Sequence, residues 1–537
     1  MFDIREGLVF AALNKAVISI DYDIHDDIHK QHEFKKQTIL ADKSLTNDEK
    51  IDAIRLLSKS YDKIKVARNM GTKRRCENCN QECLATLYCE YCVRNYLKAK
   101  FSNWTSGNND IDNLIQKCQI ETLEPDAIVE WIPYNDLRSI KYLTKGGISE
   151  IYTAGWINGS YYKWDPKEQQ LIRFGIHEVV LKSLGISESI NERWLMEAKA
   201  HLTMSIKYPQ IVPCYGLTQN PSNGIYMLVM NMMNINLRGY LQQNHDNLTW
   251  EERIKIIDDI ILALGAIHGV NAIHRDLHSG NILYSKLNQR WYINDLEFCG
   301  PADKSNGIYG NLPYIAPEVI AGKKPTFASD IYSIAMLMWE ISSGQPPFNN
   351  YEHDYDLAMN IINGIRPRII SGTPLEYENL MKRCWDADPL KRPDIKTLWE
   401  RIRNIYFYCQ DTQDTQDTQD TDYSSNKLST SKIHQFENFP EPRNATEAFR
   451  SKLYDYYIPD NIDEFNKFNN QKNDYISISI SKDSQNGDDN LEEQDEFEIL
   501  DDKDEIYNNP NFHSEEQDEF EIPDGKKFFL NDKNILI

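Results

Sequence analysis

The stretch that decides this chain is His274-Arg275-Asp276-Leu277-His278-Ser279-Gly280-Asn281. It sets a carboxylate and a carboxamide five residues apart. A second carboxylate follows in Asn294-Asp295-Leu296, with Asp295 19 residues after Asp276, and Ala316-Pro317-Glu318 closes the segment. Upstream, Val179-Val180-Leu181-Lys182 ends an apolar run, and Glu197 lies 15 residues beyond Lys182 in a helical stretch.

The texture around these residues predicts a fold class. Apolar runs at 179–181 and 226–230 read as strands. Long helical patterns follow. Thr249 and Glu252 have capping-box spacing, and Ile254, Ile257, Ile260, Leu264 and Ile267 mark one face. A helix apolar on all sides is expected from residue 330 to 340, stopping near Gly344, and belongs in the interior of a domain. Strands first and helices after predict a two-lobed α+β domain over residues 136–406.

In order and spacing these motifs resemble those of the eukaryotic protein-kinase family, in particular its tyrosine-kinase-like branch. The resemblance covers residues 136–406, half the chain. It implies a bilobal fold with a β-rich N-lobe and a helical C-lobe, and transfer of the ATP γ-phosphate to protein hydroxyls. Such transfer needs positioning and charge neutralisation more than covalent chemistry. By the resemblance, Lys182 would hold the α and β phosphates and Glu197 would pair with it. Asp295 and Asn281 would bind Mg²⁺, and Asp276 would orient the attacking hydroxyl and accept its proton. His274 would be a packed structural histidine, and Arg275 could steer a phosphorylated activation segment. Asp330 would hydrogen-bond the catalytic loop, and Glu318 would pair with Arg392. Gly146, Gly147, Ile151 and Val180 would line the nucleotide. Met230 would be the gatekeeper, and Asn231, Met232 and Met233 the hinge against adenine. The activation segment, 295–318, offers Ser305 and Tyr309 as phosphosites. No Thr stands just before Ala316, so these residues leave Ser/Thr against Tyr acceptors open; the branch favours Ser and Thr.

Departures from the family pattern are equally plain. Where GxGxxG is expected, the chain reads Thr144-Lys145-Gly146-Gly147-Ile148-Ser149, so only Gly146 and Gly147 keep the freedom to approach phosphate. Glu297 replaces the glycine after Asp295-Leu296 and adds negative charge near the metals. Val180 adds bulk where alanine is usual, and His278 stands where Ser/Thr kinases carry Lys. The charged catalytic residues all remain. The primary expectation is therefore an active kinase, with a pseudokinase or scaffold acting as a binding adaptor as the alternative.

A second constellation is Cys76-x2-Cys79, nine residues, Cys89-x2-Cys92. Two such pairs on facing turns can hold Zn²⁺ tetrahedrally, with Cys83 as an alternative ligand. Four ligands close the site, so the expected role is structural. The thioredoxin-like βα unit that usually carries a redox CxxC is missing.

The chain has 537 residues and a net charge of −23. Residues 411–537 hold 32 acidic and 12 basic residues, a net of −20, which leaves −3 for residues 1–410. A general nucleic-acid binder needs clustered Lys and Arg, so no nucleic-acid partner is expected. No run reaches the 18 apolar residues of a spanning helix, and a local cysteine cluster suits a reducing compartment, so an intracellular, cytoplasmic protein is expected. The expected organisation is a helical, partly disordered segment at 1–70, with no clear pattern in 1–37 and a helix from Thr46 presenting Ile51, Ile54, Leu57 and Tyr61. A Cys-rich module at 71–100 and a docking helix within 101–135 come next. The kinase-like domain spans 136–406, and 411–537 is an acidic low-complexity tail, mostly disordered. Its two copies of EEQDEFEI, or the Cys-rich module, could hold a protein partner. The stretch 436–457 carries enough aromatics to fold or dock. The N-terminal module and FSNWTSGNNDIDNLIQKCQ also resemble a region ahead of the kinase domain in some expanded fungal families of this branch.

Overall fold

The computed structural model describes residues 4–21, 24–146, 149–184, 192–300, 308–411, 432–434 and 442–444. Gly147, Ile148, Ser305, both EEQDEFEI copies and most of 436–457 lie outside the described residues.

Helices α1 (Glu6–Ile18), α2 (Ile28–Ala41) and α3 (Asn47–Arg68) pack around Val9, Leu13, Ala16, Ile39, Ala53 and Leu57. Two of these helices fall where the sequence shows no pattern. In α1 apolar residues crowd every side, and in α2 the buried face includes Gln31 and Lys35, so neither gives a clean stripe. The capping box at the start of α3 forms: Thr46 N–H donates to Glu49 Oε2 at 2.8 Å, and Glu49 N–H to Thr46 Oγ1 at 3.3 Å. The expected apolar face is rotated, since Ile51 is 67% exposed. The buried line instead runs through Glu49, Ala53, Leu57, Asp62 and Lys65. Its polar members are paired: Glu49 with Arg5 at 2.7 Å, and Asp62 with Lys65 at 2.9 Å.

A two-residue ribbon, β1 (Arg74–Arg75) against β2 (Glu82–Cys83), leads into α4 (Glu90–Lys98) and then α5 (Asn109–Glu121), capped by the Asn108 side chain. The N-lobe follows. Its strands are β3 (Glu130–Trp131), β4 (Leu137–Gly146), β5 (Ser149–Trp156), the hairpin β6 (Tyr161–Asp165) and β7 (Gln170–Arg173), and β8 (His177–Ser183). After helix α6 (Glu192–Lys207) come β9 (Cys214–Gln219) and β10 (Tyr226–Asn231). The main sheet has the order β3-β9-β10-β8-β5-β4, antiparallel except that β3 runs parallel to β9. Gly216 makes that pairing possible: its φ is +142°, and a Cβ there would sit 1.8 Å from Glu130 O. Alternation along β10 serves both faces of the sheet. Met227 and Val229 join Trp156, Val179 and Leu181 on one side, while Leu228 and Met230 meet α5 and α6 on the other.

The C-lobe comprises β11 (Ile235–Asn236), α7 (Leu237–Asn244), α8 (Trp250–Gly269), β12 (Ile282–Ser285), β13 (Arg290–Ile293), β14 (Ile308–Gly310) and α9 (Pro317–Ile320). It continues with α10 (Phe327–Ser343), α11 (Tyr355–Ile362), α12 (Leu375–Cys384) and α13 (Ile395–Asp411). The five aliphatic residues expected on one face of α8 are all buried. Helix α10 is buried all round from Ser329 to Ser343 and ends at Gly344, whose φ is +72°. It begins three residues before Asp330, because Thr326 supplies the N-cap and its N–H donates to Ser329 Oγ at 3.0 Å. The last helix likewise runs past residue 406. Within the acidic segment, β15 (Lys432–His434) pairs antiparallel with β14, its one strand partner among the described residues. Asn444 also accepts from Ala387 N–H at 2.9 Å. No helix of the described residues is long and apolar enough to cross a membrane.

Candidate active site

Three elements bring three charges together between the lobes. Lys182, on β8 opposite Ile151 and Leu228, projects its Nζ to 2.7 Å from Glu197 Oε1 on α6 and 2.9 Å from Asp295 Oδ1. Burial by itself would lower the lysine pKa. Asp295 and then Glu197 outweigh it and hold the ammonium above its ordinary value. Burial likewise pushes the Asp295 carboxyl up, but Lys182 overrides this and holds it down at about 2. Asp295 is thus an anion, and its side chain is 28% exposed. Its φ of +60° is a left-handed conformation uncommon outside glycine, though Asp adopts it more readily than most, and such residues cluster at functional sites.

His201, one turn after Glu197, fixes the next residue. Its Nε2 accepts the Leu296 N–H at 3.2 Å, and burial holds the ring at about 3, so it is neutral. The sequence reading missed His201; its spacing of four from Glu197 was the available signal.

Residues 274–281 converge below this triangle. Asn281 Nδ2 donates to Asp276 O at 2.9 Å and lies 3.4 Å from Asp276 Oδ2. His278 Nδ1 accepts the Gly280 N–H at 3.1 Å, which leaves the ring proton on Nε2, 3.7 Å from Asp276 Oδ1. Burial lowers His278 to about 4, so the ring is neutral where the family's Lys would be charged. His274 is fully buried, its Nε2 3.3 Å from Asn294 O. Asp330, 1% exposed, accepts the backbone N–H of His274 at 2.9 Å and of Arg275 at 3.0 Å. His268 Nε2 donates to the same carboxylate at 2.9 Å. Arg275 has a φ of +70°, and its Nη1 donates to Phe298 O at 2.8 Å.

The remaining expected residues are distributed as follows. Val180 faces Met230 and Thr153 across its neighbouring strands. Met230 is buried in the cluster beneath α6, Met233 packs against that cluster, and Met232 is 40% exposed. Gly146 pairs with Ser149, and Thr144 with Ile151, where β4 turns into β5. Glu297 N–H points to Asp295 Oδ1 at 3.4 Å. Glu318 and Arg392 form a fork-to-fork pair with both N···O distances 2.7 Å, and Arg392 Nη1 also donates to Ala328 O at 2.9 Å. A further network escaped the sequence reading. Arg238 Nη2 lies 2.7 Å from Glu340 Oε1 and donates at 3.0 Å to both Ser279 Oγ and Tyr314 Oη; Tyr314 donates in turn to Glu340. No local spacing announces a network drawn from four separate elements.

The sulfurs of Cys76, Cys79, Cys89 and Cys92 all lie within 4.8 Å of one another. Cys76 and Cys92 Sγ are 3.7 Å apart, and Cys79 and Cys89 Sγ 3.6 Å. A tetrahedral ion with Zn–S bonds of about 2.3 Å sets its sulfurs about 3.8 Å apart, so the soft donor set and the spacing both fit Zn²⁺. Cys83 is buried in a different grouping, with Cys89 and Glu90.

Residues 137–402 match the family described as protein tyrosine and serine/threonine kinase. The chain is 28% identical over 311 residues to probable serine/threonine-protein kinase roco5 of Dictyostelium discoideum, covering 54% of this chain and 10% of that protein. It is 31% identical over 240 residues to human receptor-interacting serine/threonine-protein kinase 1, covering 40% of this chain and 35% of that protein. It is 32% identical over 206 residues to the mouse dual serine/threonine and tyrosine protein kinase, covering 37% of this chain and 22% of that protein. The matched part therefore spans a third or less of two of these relatives and little over a third of the other.

Proposed function

Because residues 137–402 make this chain a member of the eukaryotic protein-kinase family, we propose that it transfers the ATP γ-phosphate to Ser or Thr hydroxyls of other proteins. The observation that carries this reading is the buried Lys182 held between Glu197 and Asp295 at 2.7 and 2.9 Å. Two carboxylates keep the ammonium charged and fix where it points, which is what binding phosphate oxygens requires.

The chain's own residues divide the work. Lys182 neutralises phosphate charge, and Glu197 fixes its direction. Asp276, steadied by Asn281, takes the proton from the attacking hydroxyl. Asp295 and Asn281 are oxygen donors suited to Mg²⁺, which when bound supplies charge neutralisation across the phosphates. The neutral Nε2–H of His278 helps aim the Asp276 carboxylate. Ile151, Val180 and Met230 to Met233 line the adenine side. The preference for Ser and Thr is supported by the names of the roco5 and receptor-interacting relatives, and the dual serine/threonine and tyrosine relative keeps Tyr as the second acceptor. We read the four clustered thiols as a closed, structural Zn²⁺ site.

The test is phosphate incorporation by the purified full chain on a peptide library with Mg²⁺–ATP. Lys182→Ala and Asp276→Asn are expected to abolish it. Wild-type incorporation no higher than that of Asp276→Asn refutes catalysis. It would favour the adaptor reading that Thr144, Ser149 and Glu297 motivate, and a thermal-shift titration with ATP, with and without Mg²⁺, would then show whether nucleotide still binds.

A further inference from the structure

We propose that the four-cysteine metal site governs the phosphotransfer centre through α5: the loaded module seats α5 against α6, and α6 thereby keeps Glu197 beside Lys182. This rests on reading the thiols as a Zn²⁺ site and the Lys182 centre as a phosphotransferase.

The connection is continuous in the structure. Two metal-ligand neighbours hold the end of α5. Tyr88, next to Cys89, donates its hydroxyl to Leu123 O, and Arg94, two residues after Cys92, donates Nη2 to Thr122 O at 3.2 Å. Just inside that end, Gln119 Nε2 donates to Val129 O at 2.8 Å. On α5 the fully buried Ile111, Ile115 and Cys118 share one core with Ala198, Leu202 and Ile206 of α6. Helix α6 is thus gripped on two faces. Glu197 and His201 look toward Lys182 and the Leu296 backbone, and the residue after each, Ala198 and Leu202, looks toward α5.

The module cannot supply that rigidity from its own secondary structure. It has two strands of two residues and one helix of nine. Three of the four thiols, Cys76, Cys89 and Cys92, are buried in its core and Cys79 packs against it, and units this small need a metal or covalent staples to stay folded. Removing the ion would release Tyr88 and Arg94, then α5, then the outer face of α6.

The experiment uses the full chain and compares three forms: as purified, Cys89→Ser, and Ile115→Ala, whose metal ligands are untouched. Zinc is measured by elemental analysis, mobility by amide hydrogen exchange, and activity by phosphate incorporation. The purified chain is expected to hold one equivalent of zinc. Cys89→Ser should lose it, speed exchange in both 109–121 and 192–207, leave α8 and α10 protected, and lower phosphotransfer roughly 3- to 30-fold, the usual range for coupling through packed elements. Ile115→Ala should keep zinc yet reproduce the faster exchange in 192–207 and the lower rate. Less than half an equivalent of zinc in the purified chain overturns the metal reading. Zinc loss with unchanged exchange in 192–207 overturns the coupling and leaves the metal site standing. Faster exchange on zinc loss, in a chain inactive even when loaded, supports the coupling and refutes the phosphotransferase reading instead.

Discussion

Replacing Asp330 with Asn tests how the catalytic loop is held. The carboxylate takes three donors: the N–H of His274, the N–H of Arg275 and His268 Nε2, at 2.9, 3.0 and 2.9 Å. Asn keeps one oxygen. Placed where Oδ2 stands, that oxygen still accepts from the His274 N–H and His268, and the NH₂ then faces the Arg275 N–H, donor against donor. One buried N–H is left unpaired, costing about 1–3 kcal/mol, and the surviving bonds lose their charge assistance, about 1 kcal/mol more. The expected loss is about 2–4 kcal/mol, or roughly 4–16 °C in Tm at 2–4 °C per kcal/mol for a domain of this size. The released loop should also let Arg275 leave its φ of +70°, moving Asp276 and lowering kcat more than KM. The effect has a pH signature. Burial alone would raise the Asp330 carboxyl, but His268 and His274 bring it below the ordinary value. A depressed carboxylate contributes stability that is full above the ordinary carboxylate range and lost as pH falls through its folded value. The gap between wild type and Asp330→Asn should therefore be widest near neutral pH and shrink on acidification. Urea unfolding at several pH values reads it. A change under about 0.5 kcal/mol at neutral pH, the level of an ordinary surface substitution, refutes the argument.

Three other outcomes follow from the same geometry. Arg392→Leu leaves Glu318 buried without its fork, so urea unfolding should show a loss of about 3–5 kcal/mol, whereas Lys391→Ala, an exposed neighbour, should cost under about 0.5 kcal/mol. Glu297→Gly removes a carboxylate beside Asp295 and should raise phosphate incorporation and strengthen the Mg²⁺-dependent thermal shift by ATP; unchanged values on both would acquit that position. His278→Ala removes the Nε2–H near Asp276 and should lower kcat about 10- to 100-fold with little change in KM for ATP, while His278→Asn, which can still donate, should recover part of it; equal kcat in all three proteins would refute a positioning role.

The sequence made the lower lobe legible because its signals are local. Thr249 and Glu252, the stripe from Ile254 to Ile267 and the apolar run ending at Gly344 each state a helix within one window. The site was legible for a different reason: its residues are spaced by the family pattern, and the structure brings Lys182, Glu197 and Asp295 together. What stayed hidden needed tertiary partners. Helix α2 buries Gln31 and Lys35, which no hydrophobic pattern can flag. Ile51 points outward because Glu49 and Asp62 are paired inward. The network joining Arg238, Glu340, Tyr314 and Ser279 links positions up to 102 apart in the chain, and β15 finds β14 from beyond the last helix.

The parallel edge strand β3 has a practical consequence for anyone dissecting this protein. It lies before the family match, yet its partner strand carries a glycine with no room for a Cβ beside Glu130, and Glu130 forks onto Arg173 with N···O distances of 2.9 and 2.6 Å. Hairpin β6–β7 likewise buries Trp164 and Leu171 against the Cys-rich module. The unit that folds is therefore larger than the unit that can be recognised by likeness. A fragment cut at Leu137 would bare a sheet edge, take the carboxylate from Arg173 and uncover tryptophan, the makings of self-association. Inactivity in such a fragment would report on the cut, not on the full chain.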